Sequence, residues 1–437
     1  MTLLAAVLVP FMMAWFAKRP EAAIVLLLAA SAVPRLSVEI AGLKAHPEHI
    51  ISGLMICAAP LLWKKRKQPV AWMLPDYLLM GYVALNFFSS IFASAAPAQT
   101  LKWAVQQVLA ILPYFWLRLL ISDRERLRWS FRALLLAGVA CSAYAMLCFY
   151  SNVFFGSAFG VEVAQYGDIS ATYGLQYEAN ILGAHSGALA VMMLAMYLQE
   201  RSRKFLIGYA LFGLAAMAAS LSRAALGATL IGLLLVGFFG LRRHLLNRRV
   251  VVSVATASLF AALLVMPLLW QHYAERFSTI EVANPTADPN TLTRTVQTLF
   301  ALDEVAKHPV FGGGTASFQL AFDWKQVGSD FEEQEGWIGN TELRVLHDTG
   351  AAGLIVFSCF VLSLARRGWR RIRAEKNPEL VALLASAFVY LISFQATEGT
   401  LLAFTWVHLG LIGCAVSFAN PEAAKDTGIA PTASAEC

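Results

Sequence analysis

The chain has 437 residues, of which 58% are hydrophobic and 14% charged, and its mean hydropathy is +0.60. A soluble domain carries about a quarter charged residues, so this composition excludes a soluble globular protein and predicts an all-α polytopic membrane protein. The formal net charge of +6 comes largely from basic residues in short loops between apolar runs. We therefore expect the lipid bilayer as a partner, and no nucleic acid.

Apolar runs long enough to cross a bilayer recur along the whole sequence. About 17 to 25 apolar residues span the hydrocarbon core as a helix. We predict 12 or 13 transmembrane helices, because the first two runs are short and Pro34 ends the second. The predicted spans lie near residues 2–17, 21–34, 49–63, 77–94, 102–121, 131–150, 181–199, 205–220, 224–241, 250–269, 350–365, 379–396 and 401–418.

Basic clusters alternate with poorly basic connections, and this alternation predicts the orientation of the spans. Clusters of Lys and Arg favour the cytoplasmic side. Six clusters fit that side together, and they begin at Lys18, Lys64, Arg124, Arg201, Arg242 and Arg366. The outward connections are then 35–48, 95–101, 151–180, 220–223, 270–349 and 397–400.

The spans and loops divide the chain into five predicted segments. They are an N-terminal transmembrane bundle (1–175), a transmembrane core with a Ser-Leu-Ser-Arg motif (176–269), a large outer loop (270–349), C-terminal transmembrane helices (350–419) and a disordered cytoplasmic tail (420–437).

The outer loop contains helices of its own. Residues 293–308 predict an amphipathic helix, which His308-Pro309 stops and the glycines at 312–314 follow as a turn. A second helix is predicted to begin near Asn340 and to run towards Leu346, with Gly350 near its end. The apolar residues at helical spacing in the first helix are Val296, Leu299, Phe300, Leu302 and Val305.

Two arginines are predicted to face the same outer side. Arg223 ends the Ser-Leu-Ser-Arg motif between two spans, and Arg294 lies on the first loop helix. A charge at a membrane edge is costly without a partner, and the planar guanidinium donates two parallel hydrogen bonds to a phosphate. Small residues on both sides of Arg223 favour close packing in a tight turn. The alternatives are that Arg223 extends to lipid headgroups and that Arg294 pairs with one of the many acids of its loop.

Further polar residues lie where chains enter the membrane. Asn180 and His185 begin a span and need partners there, either across helices or in a cavity that meets a sugar or diphosphate. The stretch 335–350 concentrates carboxylates, Trp337, Asn340 and a histidine. A general base for an acceptor hydroxyl has four candidates by residue type, Glu335, Glu342, His347 and Asp348. No metal-binding or nucleotide-binding signature is present, so we expect no metal and no cofactor.

Four of these elements, in this order, resemble the O-antigen ligase and polymerase superfamily of bacterial inner-membrane proteins. The resemblance covers residues 176–356. Ser220-x-Ser222-Arg223 is similar to the family's Ser-x-Ser-Arg motif, and Arg294 with the stretch His308 to Gly314 is similar to its Arg…His-Pro-Leu-Phe-Gly-x-Gly stretch. Glu178-Ala179-Asn180 to Gly183 resembles its Pro-Asn-x-x-Gly element, with Ala179 in place of proline.

One departure from the family bears on mechanism. The family carries His-Asn before the last loop helix, and this chain has Gly339-Asn340 there. The family's histidine has no equivalent, since His347 lies two turns further along the chain. Another group then takes its role, or the acceptor differs from a lipid A core.

The resemblance implies a glycosyltransferase at the periplasmic face of the bacterial inner membrane. Its donor is an undecaprenyl-pyrophosphate-linked glycan, and its acceptor hydroxyl belongs to a glycan, lipid or protein. Such transfer is metal-independent and inverting. Ligase-type transfer is the leading interpretation. An O-antigen or exopolysaccharide polymerase shares this donor chemistry, and the absent histidine favours either a polymerase or an exopolysaccharide or protein acceptor. A lipid-linked glycan transporter and a non-catalytic assembly scaffold are the alternatives from other classes.

Ten residues follow as site predictions. The predicted catalytic residues are Arg223, Arg294, Glu335, Asn340 and His347. The predicted substrate-binding residues are Asn180, His185, Ser222, Trp337 and Gly314.

Overall fold

The computed structural model describes residues 12, 14–16, 18–40, 43–64, 70–162, 170–278, 289–322, 337–375 and 377–418. Nearly all of these residues that lie in regular secondary structure are helical. The one sheet among them is a hairpin of β1 (Val38–Ile40) and β2 (Leu43–Ala45), antiparallel, with Val38 opposite Ala45.

The helices are numbered in chain order. They are α1 (Pro20–Ser31), α2 (Pro47–Lys64), α3 (Leu74–Phe88, continued by Ser89–Ala93), α4 (Pro97–Leu120), α5 (Arg124–Phe155), α6 (Ala179–Glu200), α7 (Arg203–Ile207, continued by Gly208–Leu214 and Ala215–Ala219), α8 (Arg223–Arg242), α9 (Arg248–Ser278), α10 (Pro289–Lys307), α11 (Phe318–Ala321), α12 (Thr341–Ala374), α13 (Pro378–Ser393) and α14 (Ala403–Ser417).

The all-α polytopic membrane fold is confirmed. In the described part of the chain, α3 to α6, α8, α9 and α12 are long and apolar enough to cross a membrane, and α1, α13 and α14 are shorter apolar helices. Every predicted span from 21–34 onwards coincides with a helix, whereas most of 2–17 lies outside the described residues. The number of crossings and the five-segment division stay predictions.

Helix α6 forms the centre of the bundle and is buried along its whole apolar length. It packs against α7, α8 and α13. Glycines on α6 permit this approach, because a Cβ at Gly183 would lie 2.6 Å from the Ser220 hydroxyl and one at Gly187 would lie 2.0 Å from the Thr229 hydroxyl of α8. The N-termini of α6 and α8 therefore lie side by side.

A buried ion pair joins three helices in the same bundle. The guanidinium of Arg118 on α4 contacts the carboxylate of Asp76 on α3 at 3.0 Å, and both side chains are almost completely buried. The Tyr114 hydroxyl donates to Asp76 at 2.7 Å, and Arg118 also donates to the Gly413 carbonyl of α14 at 3.2 Å. These bonds compensate the cost of burying two charges.

The predicted loop helix is present as α10, and it ends directly before His308-Pro309. Val296 and Phe300 pack in an apolar cluster with Phe318. The predicted apolar face was wrong in part, since Leu299 is 62% exposed and Leu302 46% exposed. The cluster covers one side of α10 and leaves these two leucines on the other.

The predicted glycine turn and the second loop helix are also present. Asn340 caps α12, and Gly350 interrupts that helix with φ of 65° and ψ of −169°. The glycine turn docks on this interruption, because the Gly313 amide donates to the His347 carbonyl at 2.9 Å and the Gly314 amide to the Asp348 carbonyl at 3.0 Å. The outer loop is thereby attached to the membrane bundle.

Candidate functional site

A cavity of about 770 Å³ opens between the bundle and the outer loop. Its walls come from the N-termini of α6 and α8, from α10, from the 35–49 segment, and from the connection between α13 and α14. It has the size of a small-molecule site, and its polar and charged lining sets it apart from an apolar core void.

Arg223 reaches this cavity from a tight turn between α7 and α8. Ser222 caps α8, since its hydroxyl accepts from the Ala225 amide at 3.3 Å and donates to the Asn180 side chain at 2.8 Å. Leu221 has a φ of +54°, which is uncommon for a residue with a Cβ. The turn fixes Arg223 as the first residue of α8, half-buried in the cavity wall.

Arg294 lines the same cavity from a different element, α10. It lines the cavity together with Thr293 and Gln297 and is itself exposed. Arg294 lies close enough to Glu178 to stabilise the charged form of that carboxyl group. The two predicted arginines therefore share one cavity, although they belong to different parts of the fold.

The N-terminus of α6 forms the floor between the two arginines. Glu178 occupies its N-cap position but makes no capping hydrogen bond. The Glu162 carboxylate accepts from the Ala179 amide, the first amide of α6, at 2.7 Å. The Glu178 carboxylate accepts from the Thr397 hydroxyl, and Asn180 lines the cavity beside it.

A second basic wall comes from the segment around β1 and β2. The Arg35 guanidinium lies 3.8 Å from the centre of the Tyr173 ring and donates to the Tyr177 carbonyl at 3.0 Å. The His46 ring contacts the Tyr177 hydroxyl at 2.9 Å, and Lys44 lies beside it. Burial lowers the pKa of His46, which favours its neutral form.

Two tryptophans form the remaining wall. Trp103 of α4 and Trp337 meet edge to face, with ring centres 5.6 Å apart. The buried Arg344 supports Trp337 from 5.0 Å away and contacts Glu398 at 3.0 Å and Asp348 at 3.4 Å. Aromatic faces of this kind pack against sugar rings.

Four of the ten predicted site residues line the cavity. They are Arg223, Arg294, Asn180 and Trp337. Ser222 is buried directly behind the wall, where it caps α8 and bonds Asn180. Glu335 lies outside the described residues.

The structure places both predicted histidines away from the cavity. The His347 ring is buried, contacts the Asp348 carboxylate at 3.1 Å and packs edge to face on Phe318. His185 is buried within the bundle, with its ring centre 5.1 Å from that of Phe404. Neither ring lines the cavity, so both pack within the fold rather than against a substrate in the cavity.

Asn340 and Gly314 do not line the cavity either, and both have structural roles. The Asn340 side chain accepts from the Leu343 amide at 2.8 Å and donates to Gln395 at 2.8 Å. Gly314 has a φ of +97° and lies against Ser94 and Thr100. It is Gly339, where the resembling family carries histidine, that lines the cavity.

Sequence reasoning missed several cavity residues. Arg35, Lys44 and His46 lie in a connection that was predicted to face outward, and that placement is the one signal that pointed to them. Glu178 lies in the stretch that resembles the Pro-Asn-x-x-Gly element, and Glu398 lies in the predicted outward connection 397–400. No local pattern indicates that these segments converge, because the contacts join residues more than 100 positions apart.

Comparison with known proteins identifies one domain. No protein of curated function matches the chain. Residues 207–361, from α7 to α12, match the family model described as O-antigen ligase, and this range contains Arg223, Arg294 and Trp337. This match over about a third of the membrane protein supports the resemblance to the O-antigen ligase and polymerase superfamily.

Proposed function

We propose that this protein is a glycosyltransferase that moves a glycan from undecaprenyl pyrophosphate to an acceptor hydroxyl at the periplasmic face of the inner membrane. The observation that carries the proposal is the shared cavity of Arg223 and Arg294. Two guanidinium groups in one cavity are suited to one diphosphate, since each donates paired hydrogen bonds to phosphate oxygens.

The backbone adds to this anion site. Arg223 is the first residue of α8, a helix of 20 residues, and Ala224 lines the cavity next to it. A helix N-terminus carries a partial positive charge and N–H groups that favour phosphate. The N-terminus of α6 lies alongside, where Glu162 already occupies the Ala179 amide. The N-terminus of α8 is therefore a better binding site for a diphosphate than the N-terminus of α6.

On the donor side, the reaction mainly requires groups that stabilise negative charge. The leaving group is already a diphosphate, so the site must offset the negative charge that develops as the bond to the anomeric carbon breaks. Arg223 and Arg294 supply that charge, and we expect transfer to persist in the presence of a chelator. Direct displacement by the acceptor oxygen inverts the anomeric carbon.

The other walls suit the glycan and the acceptor. Trp103 and Trp337 offer aromatic surface for sugar rings. Arg35, Lys44 and His46 add hydrogen-bond donors on the facing wall. Charged and aromatic groups thus surround a space of about 770 Å³, large enough for a few sugar units.

The distribution of charge supports a periplasmic active face. α6, α8 and α12 all begin at the cavity end of the molecule. Their opposite ends carry the basic clusters at Arg201 and Arg242 and the arginines from Arg366 onwards. Basic clusters favour the cytoplasm, so the cavity then opens on the other side.

Purified protein with an undecaprenyl-pyrophosphate-linked glycan and a panel of acceptors tests the proposal. We expect Arg223→Ala and Arg294→Ala to lower transfer strongly. Arg242→Ala is the matched control, since Arg242 lies at the far end of α8, with its guanidinium 4.9 Å from the Phe238 ring. Full transfer by both cavity variants would refute the proposal.

The product distinguishes the related activities. Chains of growing length indicate a polymerase, and a single transfer to a different acceptor indicates a ligase. Movement of the intact donor between leaflets of a vesicle, without transfer, would indicate a transporter instead.

A further inference from the structure

We propose that Glu178 is the general base that accepts the proton of the acceptor hydroxyl. This inference rests on the proposed glycosyl transfer and assigns a role that the resembling motifs leave open. Among the described residues of the stretch 335–350, those that line the cavity are Trp337 and Gly339, and neither carries a group that could act as a base.

The first observation is that the Glu178 carboxylate takes no part in capping α6, although the residue occupies the N-cap position. Ser, Thr, Asp and Asn are the residues that commonly accept from helix amides at this position. Here the carboxylate of Glu162, from a different segment, accepts from the Ala179 amide at 2.7 Å. Glu178 makes no cap hydrogen bond and lines the cavity instead.

The second observation is the partner that orients Glu178. Its Oε1 atom accepts a hydrogen bond from the Thr397 hydroxyl, in the connection between α13 and α14. Thr397 follows Ala396 in the chain. A Cβ at Gly339 would lie 3.8 Å from the Ala396 carbonyl oxygen. The neutral Thr397 hydroxyl fixes the carboxylate without neutralising it, and Glu178 and Gly339 line the same cavity.

The third observation is that the other ionisable groups of this wall are engaged elsewhere. Glu398 contacts the buried Arg344 at 3.0 Å and accepts from the Thr400 amide and hydroxyl. His46 directs Nδ1 to the Leu36 carbonyl at 3.2 Å and contacts the Tyr177 hydroxyl through Nε2. Glu162 caps α6. Of the carboxylates that the structure describes in the cavity wall, Glu178 is thus the best placed to take a proton.

The surroundings also strengthen Glu178 as a base. Burial raises its pKa, Glu162 and Glu398 raise it further, and Thr397 and Arg294 lower it. A carboxylate with a raised pKa holds a proton more strongly in the transition state. Because only the deprotonated form accepts a proton, the rate must fall as the pH falls through this raised pKa.

The step balances in atoms and charge. The acceptor oxygen forms a bond to the anomeric carbon of the donor, and its proton passes to the Glu178 carboxylate. The bond from that carbon to the diphosphate oxygen breaks, and the electron pair leaves with undecaprenyl pyrophosphate. Arg223 and Arg294 hold the departing charge, and Glu178 returns its proton to solvent before the next cycle.

The test compares Glu178→Gln with Glu178→Asp in purified full-length protein. Glutamine keeps an oxygen that accepts from Thr397 and leaves the Glu162 cap intact, so we expect the fold to be preserved. General-base catalysis contributes about 10²–10⁴-fold, so we expect Glu178→Gln to lower kcat by at least about 10²-fold. Donor binding, measured with a fluorescent undecaprenyl-pyrophosphate glycan, should change by less than about threefold.

The pH profile separates a base from a structural residue. Wild-type protein should lose activity on the acid side, Glu178→Asp should keep a shifted acid limb, and the residual rate of Glu178→Gln should lack that limb. Glu200→Gln is the matched control, because Glu200 ends α6 on the side away from the cavity and contacts Arg132 at 3.6 Å. It should retain the wild-type rate and profile.

Two results would overturn the assignment. One is a Glu178→Gln variant with wild-type kcat and an unchanged acid limb. The other is a loss of donor binding that accounts for the whole loss of rate, which would make Glu178 part of the donor site. Failure of the wild-type protein to transfer to any acceptor would instead refute the proposed function itself.

Discussion

The two cavity arginines should differ in how much they contribute to catalysis and in how salt changes that contribution. A unit charge pair about 4 Å apart is worth about 4 kcal/mol at the effective dielectric constant of about 20 that applies near protein surfaces. Arg223 is half-buried and anchored by the capped turn of α8, whereas Arg294 is exposed on α10. Solvent therefore screens Arg294 more strongly.

These differences in burial and screening determine how much each substitution should lower kcat/KM. Arg223→Ala should lower kcat/KM by about 10²–10³-fold, the loss seen when one preorganised charge-stabilising donor is removed. Arg294→Ala should lower it by about 10-fold to 10²-fold, with an effect that shrinks as the salt concentration rises. Arg223→Lys keeps the charge but loses the planar fork, so it should recover activity only in part.

The assay follows release of undecaprenyl pyrophosphate at several salt concentrations in detergent or nanodiscs. The double variant should lose less than the product of the two single losses, because both groups act on one diphosphate. A larger and salt-independent loss for Arg294→Ala than for Arg223→Ala would refute this account of the site.

Two further predictions concern the base and the bundle. Gly339→His introduces the residue type that the resembling family has at this position, and a Cβ fits there because its nearest neighbour lies 3.8 Å away. We expect this substitution to restore part of the transfer activity lost in Glu178→Gln. A double variant that is no faster than Glu178→Gln alone would contradict this. Asp76→Ala leaves Arg118 buried without its carboxylate and should lower the free energy of unfolding by about 3–5 kcal/mol, measured by thermal unfolding in detergent. The exposed Lys307→Ala is the control, and an unchanged Tm in Asp76→Ala would contradict the prediction.

The membrane fold was predictable because its signals are local. Hydrophobic length and composition decide whether a segment forms a spanning helix, and each predicted span within the described residues coincides with one. The loop elements followed from equally local chemistry. Proline after His308 ends α10, and the glycines at 312 and 314 adopt positive φ in the predicted turn.

Which face of an element is covered was harder to predict. The helical period of α10 gives an apolar stripe, but Phe318 and its neighbours cover Val296 and Phe300 and leave Leu299 and Leu302 exposed. The same limit applies to His347. Its residue type fits catalysis, yet the docking of the glycine turn against Gly350 places its ring in the interior. Both outcomes depend on tertiary contacts that periodicity does not contain.

Whether a cavity residue lies inside the range that matches the family model corresponds to the chemical role proposed for that residue. Arg223 and Arg294 lie inside the matched range 207–361, whereas Arg35 and Glu178 lie outside it. The leaving diphosphate is the same group whatever glycan is transferred, so one arrangement of arginines serves every donor. The acceptor hydroxyl differs with the acceptor, and it must be reached by a base from the other walls. A chain with glycine at 339 can therefore keep its donor site unchanged and take its base from α6.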